Sequence, residues 1–169
     1  HTVRGITCLK GLALLDLSGP GMKGVPGVAA RAFGALAARD ISVVLITQAS
    51  SECDITICVQ GVDADKAVAA LHLAFDAEIA AGRVDAVGGR RNLAILSIVG
   101  DGMRHRMGVA GTFLGALAFV GCNVVAIAQG SSERNISVVL EEGDAARAVA
   151  HVHTCFFDTR EVLELYLMG

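Results

Sequence analysis

Gln48 and Gln129 each close an apolar run, residues 41–48 and 122–129, and stand 81 residues apart. Lys23 and Arg104 are separated by the same distance, inside two glycine-rich stretches, Ser18-Gly-Pro-Gly-Met-Lys-Gly-Val-Pro-Gly27 and Val99-Gly-Asp-Gly-Met-Arg-His-Arg-Met-Gly108. A glutamine amide offers a donor and an acceptor to a small polar ligand. A glycine-rich loop leading into a helix brings backbone N–H groups to the helix start, where a carboxylate is stabilised. A cation beside that loop adds to the hold. The chemistry these residues could do is therefore capture of a small ligand carrying a carboxylate. For one glutamine alone, a strand-end side chain satisfied by backbone or water explains as much, and solvated charge explains Lys23 and Arg104. It is the repetition that favours a site.

The elements that must position these residues are themselves repeated. Leu12 falls on Leu93, and that shift of 81 holds without a gap to Phe75 on Phe156. Polar residues stay aligned along with the apolar ones, as in Ser50-Ser51-Glu52 on Ser131-Ser132-Glu133. In each copy an apolar run ending at glycine (12–18, 93–99) predicts a strand. Ala29, Phe33 and Leu36, like Ala110, Leu114 and Leu117, then recur at helical spacing. The runs 41–48 and 122–129 are apolar on both faces, as in a central strand. The Ser-Ser-Glu turn leads into Ile55, Ile57 and Val59 (Ile136, Val138 and Leu140), which alternate with period two and suit a hairpin. Ala64, Val68, Leu71 and Phe75, with Ala145, Val149, Val152 and Phe156, predict a second helix. The unit is β-α-β-β-α, with 84–87 as the closing strand of the first copy. This is a ferredoxin-like α+β plan, two helices on one face of an antiparallel sheet. For the last strand of the second copy the residues leave two candidates, 162–168 and 3–7.

Composition narrows the function. A net charge of −3 gives no electrostatic reason to expect nucleic acid, and the scarcity of aromatics removes stacking platforms. The longest apolar stretch, 113–128, is broken by Gly115, Gly121, Cys122 and Asn123, so no membrane partner is expected. Five cysteines without CxxC spacing read as reduced apolar residues of a cytoplasmic protein, and the histidines show no metal-ligand spacing. Gly19-Pro-Gly-Met-Lys-Gly24 matches a dinucleotide fingerprint in letters. Its context does not: Asp40 precedes the next strand instead of ending it, and His105 replaces the third glycine in the second copy. Neither a nucleophile–base pair nor paired carboxylates in one loop emerge. The start at His1, without Met or a signal-like segment, suggests a piece of something longer.

The loop 18–27 and the segments 41–52 and 124–137, taken together, resemble the tandem ACT domains of aspartokinases, most closely the regulatory region of the threonine-sensitive bifunctional aspartokinase–homoserine dehydrogenases. The resemblance covers essentially the whole chain. It implies two ACT modules, the first (11–89) inserted in the second (1–8 plus 90–158), with 3–7 completing the second sheet and 159–169 opening a dehydrogenase domain. It implies an effector site at the loop and helix start, Met22, Lys23, Gly24, Val25 and Gly27, facing Ser42 and Val43 of another module. Gln48 and Gln129 match glutamines that contact threonine in plant relatives, and Met103 and Arg104 are the second-copy counterparts of Met22 and Lys23. Asp101, His105 and Arg106 depart from Pro20, Gly24 and Val25, so the two sites need not be equivalent.

The resemblance further implies a non-catalytic segment that binds an amino acid, threonine first, for feedback inhibition, with homo-oligomer formation through ACT–ACT contacts. No cofactor is expected in this segment; ATP and NAD(P) belong to the catalytic domains of the same chain. The rival expectations are a purely structural dimerisation module and a lysine or methionine sensor.

Overall fold

The computed structural model describes residues 2–48 and 53–158. Six strands, β1 (Gly5–Ser18), β2 (Val43–Gln48), β3 (Asp54–Gln60), β4 (Gly88–Val99), β5 (Ala126–Gln129) and β6 (Asn135–Glu141), alternate with five helices. The helices are α1 (Val28–Ala37), α2 (Ala64–Ala74), the short α3 (Asp76–Ala80), α4 (Val109–Phe119) and α5 (Ala145–Phe157). The chain divides into two compact units, one of residues 11–93 and one of the residues up to Lys10 together with those from Ala94 onward. The long strands β1 and β4 give one half to each unit.

In the 11–93 unit the strand order is β2-β3-β1-β4. β1 runs antiparallel to β3 from Leu12 opposite Gln60 to Ser18 opposite Asp54. Alternation decides which face is covered: Ala13, Leu15 and Leu17 join Ile55, Ile57 and Val59 beneath Ala32 and Leu36 of α1 and Ala67 and Leu71 of α2. Phe75, at 1% exposure, plugs the end of that core. The other unit repeats the plan in the order β1-β4-β6-β5. Ala94, Leu96 and Ile98 meet Ile136, Val138 and Leu140 beneath Phe113 and Leu117 of α4 and Ala148 and Val152 of α5. Both units are thus α+β, antiparallel sheets with helices on one face.

Several expectations need correction. Residues 84–87 form no strand; Val84 and Val87 are buried in the core, Asp85 N–H donates to the Ser18 carbonyl at 2.8 Å, and the strand begins at Gly88. Two glycines at its start conceal it from propensity reasoning. The runs 41–48 and 122–129 are not central: β2 and β5 each pair with one neighbour at the end of the order, and Ile46 and Ile127 are each 45% exposed. A continuous apolar run is typical of a strand buried on both faces, and here it lies at an edge instead. The covered face of the first helix is also turned by a residue: Ala32 and Phe113 are fully buried, whereas Ala29, Phe33, Ala110 and Leu114 are partly so. The second helices carry the expected apolar stripe, with Ala64, Leu71 and Phe75 buried in one and Ala145 and Val152 in the other.

Residues 2–4 precede β1 as 83–85 precede β4. Arg4 N–H donates to the Val99 carbonyl at 2.7 Å, the counterpart of the Asp85–Ser18 bond. A Cβ on Gly19 would lie 2.4 Å from the Arg83 carbonyl oxygen, and one on Gly100 2.5 Å from that of Thr2. Close backbone approach requires glycine at both places. The equivalence therefore reaches upstream of Leu12, where Val3 matches Val84, both buried, between neighbours that have diverged. Gly11 and Asn92, again 81 apart, have left-handed backbones (φ 72° and 57°) beside the points where β1 and β4 pass from one unit to the other. The segment 162–168, the alternative closing strand, and Ser50-Ser51-Glu52 lie outside the described residues. The twin of that turn is closed by Glu133 N–H donating to the Gly130 carbonyl at 3.1 Å.

Candidate functional site

Each unit carries one cleft at the junction of its glycine-rich loop, the start of its first helix, and the end of its edge strand. In the 11–93 unit the cleft has a volume of about 160 Å3 and is lined by Met22, Val25, Gly27, Val28, Ala29, Gln48 and Ile55. In the other it has about 370 Å3, and Met103, Arg106, Gly108, Val109, Ala110, Gln129 and Ile136 hold the equivalent places; His105, Met107, Gly111 and Glu133 add to its wall.

The local sequence builds this geometry twice. The loop closes as a single 3-10 turn, Pro20–Met22 or Asp101–Met103, which drops Met22 or Met103 into the core at 3% exposure. Gly27 and Gly108 then take left-handed backbones (φ 83° and 86°), a conformation that would strain a side-chain-bearing residue, and α1 or α4 starts directly after them. Neither helix start has a side-chain cap for its first N–H groups, and the first two residues of each helix line the cleft. Across from them, Gln48 pairs with Ile55 and Gln129 with Ile136 at the last rung of each hairpin. Both isoleucines are buried floors, 2% exposed, and both glutamines are exposed at the mouth.

The structure thus brings Met22, Val25, Gly27 and Gln48 together in one cleft, and Met103 and Gln129 in the other. It does not bring the cations in: Lys23 and Arg104 are exposed and lie outside the lining, as does Gly24. Ser42 is exposed and Val43 half-buried on the edge strand, both outside the cleft of their own unit. Arg106 and Glu133 line the second cleft without having been singled out as ligand contacts. The signal for Glu133 was available, since its counterpart Glu52 is one of the polar residues that the duplication keeps aligned.

The second cleft carries charged groups in its wall. In the second, Glu133 Oε2 accepts the His105 backbone N–H at 2.6 Å and lies 3.7 Å from His105 Nδ1. Beside it, Arg134 Nε meets Asp101 Oδ1 at 3.3 Å. Among the described residues no cluster of His, Cys, Asp and Glu could hold a metal ion, and no helix is long and apolar enough to cross a membrane. Small clefts with one amide, a buried thioether floor and helix-start N–H groups suit binding of a ligand of amino-acid size.

Comparison with known proteins agrees with this geometry. The ACT domain family model matches residues 15–75 and 96–156, the same 81-residue offset. The bifunctional aspartokinase/homoserine dehydrogenase of Haemophilus influenzae is 42% identical over 167 residues, 99% of this chain and 20% of the relative. The chloroplastic enzyme of that name from Daucus carota is 39% identical over 99% of this chain and 18% of the relative. The chain therefore spans about one fifth of the length of the curated relatives it matches. Among solved structures, the ligand-free regulatory subunit of aspartate kinase from Thermus thermophilus superposes with a TM-score of 0.77 at 30% identity, covering 91% of this chain and 99% of that one.

Proposed function

The chain belongs to the ACT domain family, as a tandem pair of the kind that forms the regulatory region of aspartokinases, and from that premise we propose that its two clefts bind an amino-acid effector, L-threonine, for feedback control of a longer enzyme. That enzyme is an aspartokinase joined to a homoserine dehydrogenase, using ATP and NAD(P) in domains outside this segment. The segment itself does no chemistry in this reading. Effector binding favours a low-activity arrangement of the catalytic domains, and the coupling is reciprocal, typically about 1–3 kcal/mol. Assembly is through module–module contacts between copies, a reading supported by the exposed Ile46 and Ile127 on the edge strands.

One observation carries the proposal: a buried methionine, a left-handed glycine and a strand-end glutamine converge on the same cleft twice, at one fixed offset. The likeness to bifunctional aspartokinase/homoserine dehydrogenases, with the resemblance of the glycine loop and strand-end glutamines to the threonine-sensitive type, supports the choice of threonine.

Thermal unfolding of the chain with threonine, lysine, methionine and isoleucine tests it. A ligand at about 100 times its Kd stabilises the fold by about 2.7 kcal/mol, a shift of several degrees at this size. A shift selective for threonine is the expected result, and Gln48→Ala or Gln129→Ala is expected to weaken binding by about tenfold or more by removing a ligand hydrogen bond. A shift with lysine alone moves the sensor to another branch of amino-acid synthesis. No shift with any of the four overturns the reading in favour of a structural module.

A further inference from the structure

The two clefts share a scaffold and differ at two loop positions, whereas Glu133 matches Glu52 of the first copy, which lies outside the described residues. Where the first has Val25, the second has Arg106; where the first has Gly24 just outside its lining, the second has His105 in its wall. Glu133 faces that loop, half-buried, its carboxylate fixed by the His105 backbone N–H at 2.6 Å. His105 and Glu133 both have left-handed backbones, φ 57° and 55°. Non-glycine residues persist there only when the surrounding structure holds them, so the carboxylate is presented from two constrained backbones. A carboxylate has about four acceptor positions, and the His105 N–H uses one. The His105 Nδ1 lies 3.7 Å from the same carboxylate oxygen, and Asp101 and Arg134 are engaged with each other at 3.3 Å.

An amino acid brings an ammonium and a carboxylate into the cleft together. Glu133 and Arg106, which both line the cleft, provide the matching charges, and charge-assisted hydrogen bonds are roughly twice as strong as neutral ones. We propose that Glu133 receives the ammonium group of the effector and Arg106 its carboxylate, so that the second cleft reads the zwitterion through side-chain charge, with Gln129 left to the effector's side chain. The inference rests on the amino-acid reading above and adds to it a specificity pair.

Isothermal titration of the 169-residue chain with threonine tests it. The wild type is expected to bind about two threonines, one per cleft. Glu133→Gln is expected to weaken by at least tenfold the component that Gln129→Ala also removes, and to leave unchanged the component that Gln48→Ala removes. N-acetylthreonine, which lacks the ammonium, is expected to be rejected by the wild-type second cleft. Melting temperatures of the variants separate lost binding from lost fold. A Glu133→Gln isotherm matching the wild type, or one in which both components fall together, overturns the specificity pair while leaving the amino-acid reading intact. Failure of the wild type to bind threonine overturns that reading itself, and the pair with it.

Discussion

One cleft has Val25 where the other has Arg106, and the second has His105 in its wall where the first copy has Gly24, yet the same backbone builds both. The positions that stay fixed between them answer to geometry: the left-handed glycine before the helix, the glycine pressed against a neighbouring carbonyl, the isoleucine floor under the strand-end glutamine. Val25 and Arg106, which differ between the copies, face the cavity. Scaffold and recognition are therefore separable in this fold, and a duplicated site can change its ligand chemistry without touching what holds it in place.

The contrast extends to the cores, where it can be broken most forcefully. Phe75 is 1% exposed, while its counterpart Phe156 is half-buried. Phe75→Ala is expected to lower the unfolding free energy by about 3–5 kcal/mol, and Phe156→Ala by clearly less, in urea titrations. Equal losses would show that the two cores are closed alike.

A middle-sized effect separates Cys58 from Val139, which stands at its place in the other unit. Cys58 is fully buried, and burial pushes its thiol up to about 11. The native state then holds that proton more tightly than the unfolded chain, whose cysteines titrate near about 8.5. The stability so contributed is whole below that range and is lost as pH rises toward the native value, at about 1.4 kcal/mol per pH unit. Cys58→Val, which makes this unit like the other, is expected to flatten the alkaline limb of a stability–pH curve. An unchanged limb would assign it to other groups.

The smallest expected effect concerns Arg31, where the other unit has Thr112. Its guanidinium lies 4.5 Å from the Phe75 ring centroid and donates to Glu78 Oε1 and the Ala74 carbonyl, both at 2.6 Å. The hydrogen bond from Arg31 holds the Glu78 carboxyl below the usual glutamate range. That contribution is present above the ordinary glutamate pKa and lost as pH falls through the lowered value. The pair is solvent-facing, so Arg31→Thr is expected to have a minor effect at neutral pH, fading with salt. A double-mutant cycle with Glu78→Gln, read at neutral and strongly acidic pH, should show coupling only at the former.

Much of this was legible in the sequence because duplication supplied an internal control. Apolar periodicity located Ile55, Ile57 and Val59 on a covered strand face, and the repeated glycine loops marked both clefts. Periodicity did not reveal that 41–48 lies at a sheet edge, because an apolar run looks alike at centre and edge. Nor did it reveal the strand at Gly88, whose first residues lack side chains. Lys23 and Arg104 drew notice by charge, yet a loop residue pointing to solvent has the same letter as one pointing to a ligand. Only the backbone path of the 3-10 turn separates them.

The passage of β1 and β4 from one unit to the other also bears on how the molecule assembles. The 11–93 unit is one continuous stretch, whereas its companion joins segments separated by that whole insert. With the insert unfolded, closing such a loop costs on the order of 4 kcal/mol in chain entropy. Once the insert folds, neighbouring β1 and β4 place its two ends side by side, and most of that cost is gone. The order of folding is thereby biased, with the insert first. Pulse-labelled hydrogen exchange during refolding should find Leu15 and Ile57 protected before Leu96 and Val138.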